Sequence, residues 1–274
     1  MTTEFRDLDG RSLLAVFAHP DDESLACGGL LAWCAARGAR VSLLCLSRGE
    51  AGTRGPGSSA SAEATADKSD PGDLGEVRAA ELRDAAAALG LAEVILLRHP
   101  DGMLPWVDPD ALETDIRDVI VRMRPDVVVT FAEDGLYWHP DHVTVHERTT
   151  AAVASLAGDV PALYYVTMPP AAMRALLEHA RALAGSDAPL SILGIENADA
   201  FGDGARPPTL VLDASSFAAQ KLAAIKCHRT QLDGSAIGLV ADSEAARFLG
   251  IEHFRRADVG SREEAFIDGL ADFA

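Results

Sequence analysis

Residues 12–29 read SLLAVFAHPDDESLACGG. The stretch starts with a continuous apolar run at 12–18, which is typical of a strand that a parallel sheet buries on both faces. Charged residues follow at once, and a helix is predicted over 24–37. A buried strand that leads through a charged turn into a helix predicts an α/β fold, with the turn at the carboxyl edge of the sheet.

The same alternation continues along the chain. Apolar runs predict further strands at 41–46, 93–97, 126–131, 162–167 and 209–212. Helix-like stretches lie between them, at 76–89, 110–124, 141–156, 170–184 and 216–227. We therefore expect a Rossmann-like α/β fold, that is, a mostly parallel sheet with helices on both faces. The length of 274 residues suits a single domain over 1–274.

Residues 51–75 interrupt this pattern. They are rich in Gly, Ser, Ala and Asp, so they offer little apolar surface for packing. The composition predicts a long flexible loop. Because it follows a predicted strand, two interpretations stay open: a lid over a ligand site, or a surface insertion that the fold tolerates.

Composition restricts the class of partner. The chain has 24 basic and 42 acidic residues, and its net charge of -18 argues against nucleic acid or a membrane surface as partners. No apolar stretch reaches the roughly 20 residues of a membrane span, and the first residues lack the pattern of an export signal. We therefore expect a soluble, cytoplasmic protein. Its four cysteines form no CxxC pair and are expected to be reduced.

The tripeptide His-Pro-Asp occurs three times, at 19–21, 99–101 and 139–141. The first copy belongs to HPDDE at 19–23, which places one imidazole and three carboxylates directly after a buried strand. A bound divalent cation would offset the repulsion between these carboxylates. They would also be stabilised at a helix N-terminus, so the motif alone leaves metal binding and capping open.

The third copy belongs to HPDHVTVH at 139–146, which places three histidines at spacings of three and four residues. His142 and His146 share one face of the predicted helix, at a spacing found in metal sites. Both clusters follow predicted strands, and their combination favours metal over capping. Mixed His and Asp ligands fit zinc or another divalent transition metal, and three such ligands leave a position for water.

The segments AHPDDE at 18–23 and HPDH at 139–142 resemble the two signature motifs of the LmbE-like, or PIG-L, family of zinc-dependent de-N-acetylases. LSRGEAGT at 46–53, VRAAELRDAAAALGL at 77–91, DGML at 101–104 and KLAAIKCHRTQ at 221–231 are also similar to family segments. The resemblance covers most of the chain. It implies an LmbE-like fold and hydrolysis of the N-acetyl group of an N-acetylglucosaminyl compound.

The resemblance also implies roles for individual residues. His19, Asp22 and His142 correspond to the zinc ligands. Asp21 corresponds to the general base that takes a proton from water.

Five further positions correspond to residues that act on the reacting amide or contact the substrate. His139 would stabilise the oxyanion or protonate the leaving amine, and Asp141 would orient that imidazole. Tyr137 would polarise the amide carbonyl. Arg78 and Asp101 are candidate substrate contacts. The resemblance further implies a small-molecule amino-sugar substrate, and proteins of this family are often homo-oligomers.

Several of these residues have alternative interpretations. Arg78 and Glu81 lie one helical turn apart and could form a solvated ion pair. Asp101 and Gly102 suit a turn, His228 suits a helix C-terminus, and His146 is a spare candidate ligand.

Three functional alternatives remain. An amidase with the same zinc centre, similar to thiol-conjugate amidases, would cleave a larger acyl group. The alternating pattern also suits a nucleotide-binding protein, although no G-x-G-x-x-G follows a strand. A non-catalytic sugar-binding protein would not need Asp21 as a base.

Overall fold

The computed structural model describes residues 7–52, 71–185 and 189–273. In these residues the chain forms one seven-stranded sheet. Its strands are β1 Ser12–Phe17, β2 Arg40–Ser47, β3 Glu93–His99, β4 Val127–Phe131, β5 Ala162–Thr167, β6 Leu210–Asp213 and β7 Ile251–Gly260. The helices are α1 Asp22–Ala36, α2 Pro71–Leu89, α3 Pro109–Met123, α4 Gly135–Trp138, α5 Pro140–Ala154, α6 Ala172–Ala184, α7 Ala218–Cys227 and α8 Ala245–Leu249.

The strand order is β3-β2-β1-β4-β5-β7-β6. The pairs from β3 to β5 are parallel, whereas β7 runs antiparallel to both β5 and β6. The order reverses between β1 and β4, and in open α/β sheets this point leaves a crevice beyond the carboxyl ends of the strands. The predicted α/β fold with a mostly parallel sheet is confirmed, and its crevice lies between the turns that follow β1 and β4.

The central strands are apolar because both of their faces are covered. Leu14 to Phe17 of β1 have no exposed surface, and all five residues of β4 are buried. The helices α1, α2 and α7 pack against one another, and α3 packs against α5. The apolar residues thus pack into one core, which holds the ends of β1 and β4 rigid.

The strand β7 was not predicted. Its sequence IEHFRRADVG alternates buried with partly exposed residues and carries two adjacent arginines, so it lacks the continuous apolar run of the parallel strands. An antiparallel strand with one wetter face has this pattern. The short helices α4 and α8 were also missed.

The predicted loop at 51–75 is partly wrong. The helix α2 already begins at Pro71, five residues before the predicted start, and proline suits a first helical turn because its missing N–H needs no partner there. Residues 53–70 lie outside the described residues. Among those that are described, no helix has the length and apolar character needed to cross a membrane.

Candidate active site

The first and third His-Pro-Asp copies meet at the carboxyl edge of the sheet. His19 follows β1 by two residues, and α1 begins at Asp22. His139 caps the N-terminus of α5, which begins at Pro140. Because β1 and β4 are hydrogen-bonded neighbours, their following turns face each other across the crevice.

Three ligand atoms converge there. His19 Nδ1 lies 3.2 Å from His142 Nε2, which lies 3.2 Å from Asp22 Oδ1. His19 Nδ1 and Asp22 Oδ2 are 3.4 Å apart. Ligands bound at about 2.0–2.1 Å around a tetrahedral ion are about 3.3 Å from one another. The spacing of these three side chains therefore fits a tetrahedral divalent metal.

The other nitrogen of each imidazole is already engaged. His19 Nε2 lies 3.1 Å from both Asp101 Oδ1 and Asp141 Oδ2. His142 Nδ1 lies 3.0 Å from the Gly135 carbonyl oxygen and donates to it. Hydrogen bonds of this kind fix the tautomer of metal-binding histidines and leave the opposite nitrogen as the ligand. A metal that displaces the proton would therefore find the remaining nitrogen of both histidines at the same point.

Gly135 makes the approach of α5 possible. Its φ is +52°, and a Cβ at this position would lie 2.7 Å from the Cβ of His142. On its other side the His142 ring stacks on Phe131 at the end of β4, with ring centroids 4.0 Å apart. A side chain larger than hydrogen at position 135 would displace His142.

Among the described residues, two groups bring one ligand atom from each member within 4.8 Å of one another, and neither group includes Asp22. One consists of His19, His139 and His142, and the other of His19, Asp101 and Asp141. Asp22 suits a cation better than His139 because it carries a charge. Burial alone would raise the pKa of Asp22, but the imidazoles of His142 and His19 outweigh it and hold that pKa well below its usual range.

Asp21 lies beside these ligands in a different environment. Burial raises the pKa of its carboxyl group to about 6, although the guanidinium of Arg78 opposes the shift. Asp21 occupies the N-cap position of α1, yet its side chain makes no capping hydrogen bond. The carboxylate is therefore not used to hold the helix, and a pKa near neutrality suits a proton acceptor.

His139 is held by its own helix. Its Nδ1 accepts a hydrogen bond of 3.2 Å from the backbone N–H of Asp141, so in the neutral ring the proton resides on Nε2. Burial, together with the nearby imidazoles of His142 and His19, lowers the pKa of His139 to about 4. A neutral imidazole with Nε2–H free can donate a hydrogen bond to a developing oxyanion.

The expected role of Asp141 is corrected. Its carboxylate does not orient His139, which is bonded only to the Asp141 backbone among the contacts described. The carboxylate instead accepts from the backbone N–H groups of Gly102 (2.8 Å) and Leu104 (3.1 Å) and faces His19 Nε2. Asp141 thus orients a candidate metal ligand, because its helix points the side chain towards the turn after β3.

Tyr137 and Asp101 also lie at the site. The Tyr137 ring packs edge-on against His142, with centroids 5.1 Å apart, and against His139 at 5.9 Å. Asp101 forms the expected turn with Gly102, whose φ is +74°, and also contacts His19. Its other oxygen accepts from the backbone N–H of Ala51 at 2.8 Å.

The alternative interpretation of Arg78 and Glu81 as a solvated ion pair is wrong. Arg78 is 4% exposed and Glu81 is 1% exposed, and they have separate partners. Arg78 donates to the carbonyl oxygens of Pro20 and Gly49 and lies 3.2 Å from Asp21. Glu81 accepts from the backbone N–H and hydroxyl of Thr230. Arg78 therefore lies at the site.

The middle His-Pro-Asp copy contributes Asp101 but not its histidine. His99 Nε2 pairs with Asp115 at 2.9 Å, away from the ligand atoms. His146 Nδ1 bonds the Phe131 carbonyl oxygen at 2.9 Å, and His146 is absent from the ligand groups found in the described residues. Both histidines have local roles.

Sequence reasoning missed the role of Glu23. Its carboxylate accepts from the backbone N–H of Asp21 and pairs with His228. His228 thus does more than end a helix, which was the role expected for it. The only sequence signal for Glu23 was its place in the first turn of a helix, which does not reveal a partner 205 residues away.

Comparisons with known proteins identify the family of this chain. Residues 14–153 match the family PIG-L, described as GlcNAc-PI de-N-acetylase. A relative from Acidothermus cellulolyticus, named 1D-myo-inositol 2-acetamido-2-deoxy-alpha-D-glucopyranoside deacetylase, is 35% identical over 266 residues. The match covers 89% of this chain and 88% of the relative.

Two solved structures share the fold. One is the N,N'-diacetylchitobiose deacetylase of Pyrococcus horikoshii, with 19% identity, a TM-score of 0.59, and 90% of this chain and 84% of the other covered. The second is the 4-carboxy-2-hydroxymuconate hydratase of Pseudomonas putida, with 20% identity and a TM-score of 0.60. This match covers 93% of this chain and 99% of the hydratase. Since a deacetylase and a hydratase share this fold, the chemistry depends on the residues of the site.

Proposed function

Because this chain belongs to the PIG-L family of de-N-acetylases, we propose that it removes the N-acetyl group from an N-acetylglucosaminyl glycoside by metal-dependent hydrolysis. One observation carries the proposal. The ligand atoms of His19, Asp22 and His142 converge at tetrahedral spacing, and beside them lies the carboxylate of Asp21, which makes no capping hydrogen bond and lies 3.2 Å from Arg78. Binding alone would not require a further carboxylate beside the three ligands.

The reaction adds water across the amide: a C–O bond forms, the C–N bond breaks, and acetate and a free amine result. A divalent ion held by His19, Asp22 and His142 would supply a water of lowered pKa and polarise the carbonyl. Asp21 accepts the proton of the attacking water. It then returns that proton to the departing nitrogen, so one carboxyl group serves both transfers.

His139 and Tyr137 act on the carbonyl oxygen. The Nε2–H of His139 is free to donate to the oxyanion because Nδ1 is engaged by the Asp141 backbone. Of the two roles implied for His139, the geometry supports oxyanion stabilisation. The hydroxyl of Tyr137, whose ring lies edge-on to that of His139, is the second donor.

Zinc is the metal we propose. Two imidazole nitrogens and one carboxylate, at the spacing of a tetrahedron, match catalytic zinc sites with three protein ligands. Calcium would require six to eight oxygen ligands, and magnesium prefers octahedral oxygen sites. The first substrate to examine is the inositol glycoside in the name of the Acidothermus relative, because that match spans most of both chains.

The test is acetate release from this inositol glycoside and a small panel of N-acetylglucosaminides by the zinc-loaded protein. We expect turnover that Asp21→Asn reduces by about a thousandfold or more while zinc remains bound. Asp115→Asn, which changes a carboxylate beside His99, is the matched control and should retain turnover.

Two results would reject parts of the proposal. Zinc-loaded protein that releases no acetate but cleaves larger acyl groups would support the amidase alternative. Full turnover in Asp21→Asn with zinc bound would remove Asp21 from the mechanism and reopen the choice of base.

A further inference from the structure

The backbone of Asp21 has an unusual conformation. Its φ is +119° and its ψ is -26°, a left-handed region that residues with a Cβ rarely occupy. Such a conformation costs free energy and persists only where surrounding contacts impose it. Glycine would adopt this conformation at a lower cost in free energy, so contacts around Asp21 must hold an aspartate in it.

Both ends of the peptide group before Asp21 are bound. The Pro20 carbonyl oxygen accepts a hydrogen bond of 2.6 Å from Arg78 Nη2. The Asp21 N–H donates to Glu23 Oε2 at 3.1 Å. Opposite partners thus fix the plane of this peptide group.

The next peptide group is bound as well. The Asp21 carbonyl oxygen accepts from the backbone N–H of Leu25 at 3.1 Å, which is the first helical hydrogen bond of α1. The torsion φ of Asp21 lies between the two fixed groups. Neither group can rotate to relieve the strain without breaking a hydrogen bond.

Glu23 is itself held in place from the far side. Its Oε1 accepts from His228 Nε2 at 2.9 Å and from the Ser24 hydroxyl at 2.5 Å. Glu23, Ser24 and His228 have no exposed surface. His228 follows α7 directly, so α7 supports the turn between β1 and α1.

We propose that Glu23, braced by His228, is a positioning residue that imposes the strained conformation of Asp21 and so keeps its carboxylate away from the helix amides. In an ordinary N-cap the Asp21 side chain would accept from those amides. Here Glu23 takes over a backbone donor of the cap, as the glutamate of a capping box does. The effect of Glu23 on catalysis rests on the proposed function, whereas the backbone strain at Asp21 does not.

The strain is tested without any assay of activity. Asp21→Gly and Asp21→Ala both remove the carboxylate, but only glycine accepts a φ of +119° without strain. We expect the glycine variant to melt about 2–4 °C above the alanine variant, although glycine ordinarily lowers stability relative to alanine. Equal melting temperatures, or a higher value for alanine, would reject the strain.

The role of Glu23 is tested in the same measurement. In a Glu23→Ala background the peptide group is released, so the difference between glycine and alanine at position 21 should shrink or reverse. An unchanged difference would show that Glu23 does not impose the conformation. Asp268→Ala is the control background, because it removes a carboxylate bonded to Tyr164 and Arg256 and should leave the difference intact.

Kinetics test the consequence for catalysis. Glu23→Ala should lower kcat by about ten- to a hundredfold with KM and zinc content retained, because a displaced base affects the chemical step. Glu23→Gln, whose carbonyl oxygen can still accept from Asp21 N–H, should recover much of that loss. In an Asp21→Ala background, Glu23→Ala should cost nothing further.

The outcomes separate the two proposals. A wild-type protein without deacetylase activity would reject the proposed function and leave the melting experiment to decide the strain. An additive loss in the double variant, or a loss of zinc in Glu23→Ala, would mean that Glu23 acts on the fold or the ligands and would overturn its role towards Asp21.

Discussion

Three consecutive carboxylates, Asp21 to Glu23, have three different environments at the residue scale. Asp22 faces two imidazoles, and its pKa is held well below the usual range against the effect of burial. Desolvation dominates at Asp21 and raises its pKa. Glu23 faces away from the ligand atoms towards His228. Adjacent side chains can therefore bind a cation, accept a proton and support the backbone, because helix geometry points them in different directions.

Asp141→Asn tests the contact between a carboxylate and His19, a proposed metal ligand. Asparagine can still accept from a backbone N–H, but it lacks the charge that faces His19 Nε2 at 3.1 Å. We expect the dissociation constant for zinc to rise about 10- to 100-fold. Competition with a chromogenic chelator measures this constant.

A matched control is available in the middle His-Pro-Asp copy. Asp115→Asn removes the carboxylate that contacts His99, a histidine outside the ligand group, so zinc affinity should not change. If both variants lose affinity equally, the effect comes from net charge and not from the orientation of His19.

At the element scale, the kink in α1 joins the site to strand β7. The helix is interrupted at Cys27, where φ is -148° and ψ is 25°. The buried Glu252 of β7 accepts from the freed N–H groups of Gly29 (2.7 Å) and Leu30 (2.8 Å), and from Lys221 Nζ at 2.7 Å. A carboxylate at this new helix start also interacts favourably with the helix dipole.

Glycine is required where the helix meets β7. A Cβ on Gly29 would lie 2.7 Å from the Cβ of Ala214 and 2.9 Å from Glu252 Oε1. The half of α1 that follows the kink is thus oriented by an element near the other end of the chain.

Glu252→Ala should lower the free energy of unfolding by about 3–5 kcal/mol. The loss follows because Lys221 would keep a buried charge without its partner and two backbone N–H groups would lose their acceptor. Urea unfolding of the metal-free protein measures the change.

Glu93→Ala is the control for this prediction. Its ion pairs with Arg40 and Arg122 involve side chains that are more than half exposed on the arginine side, so we expect about 1 kcal/mol or less. A loss of that small size in Glu252→Ala would show that the buried pair does not stabilise the kink.

At the scale of the whole molecule, the proposed metal ligands connect distant parts of the chain. His19 and His142 are 123 residues apart in sequence, and each belongs to a turn after a different strand. An ion bound by both stabilises the folded state by mass action, because the unfolded chain does not hold the ligands together.

Metal removal should therefore destabilise the whole protein. With free zinc at a thousand times its dissociation constant, the stabilisation is about 4 kcal/mol. Calorimetry before and after chelation should show a clear fall in Tm. Asp22→Ala, which lacks one ligand, should melt at nearly the same temperature in both conditions. The same fall in Asp22→Ala would place the stabilising ion elsewhere.

The sequence by itself determined the alternating fold and the two motifs that build the site. Short apolar runs identify strands buried on both faces, and residues that directly follow such strands lie at the carboxyl edge of the sheet. The proximity of His19, Asp22 and His142 could therefore be predicted, and the family resemblance is confirmed by the match over residues 14–153. These features are local in sequence, or depend only on the order of the strands.

Only the tertiary structure decided the contacts between distant side chains. The carboxylate of Asp141 faces His19, Arg78 binds the Pro20 carbonyl oxygen, and His228 supports Glu23. The contact between β7 and the kinked helix α1 could not be predicted for the same reason, since Glu252 and Gly29 are 223 residues apart in sequence. The physical reason is that a polar side chain has several partners of nearly equal energy, and which one it meets depends on how the elements pack.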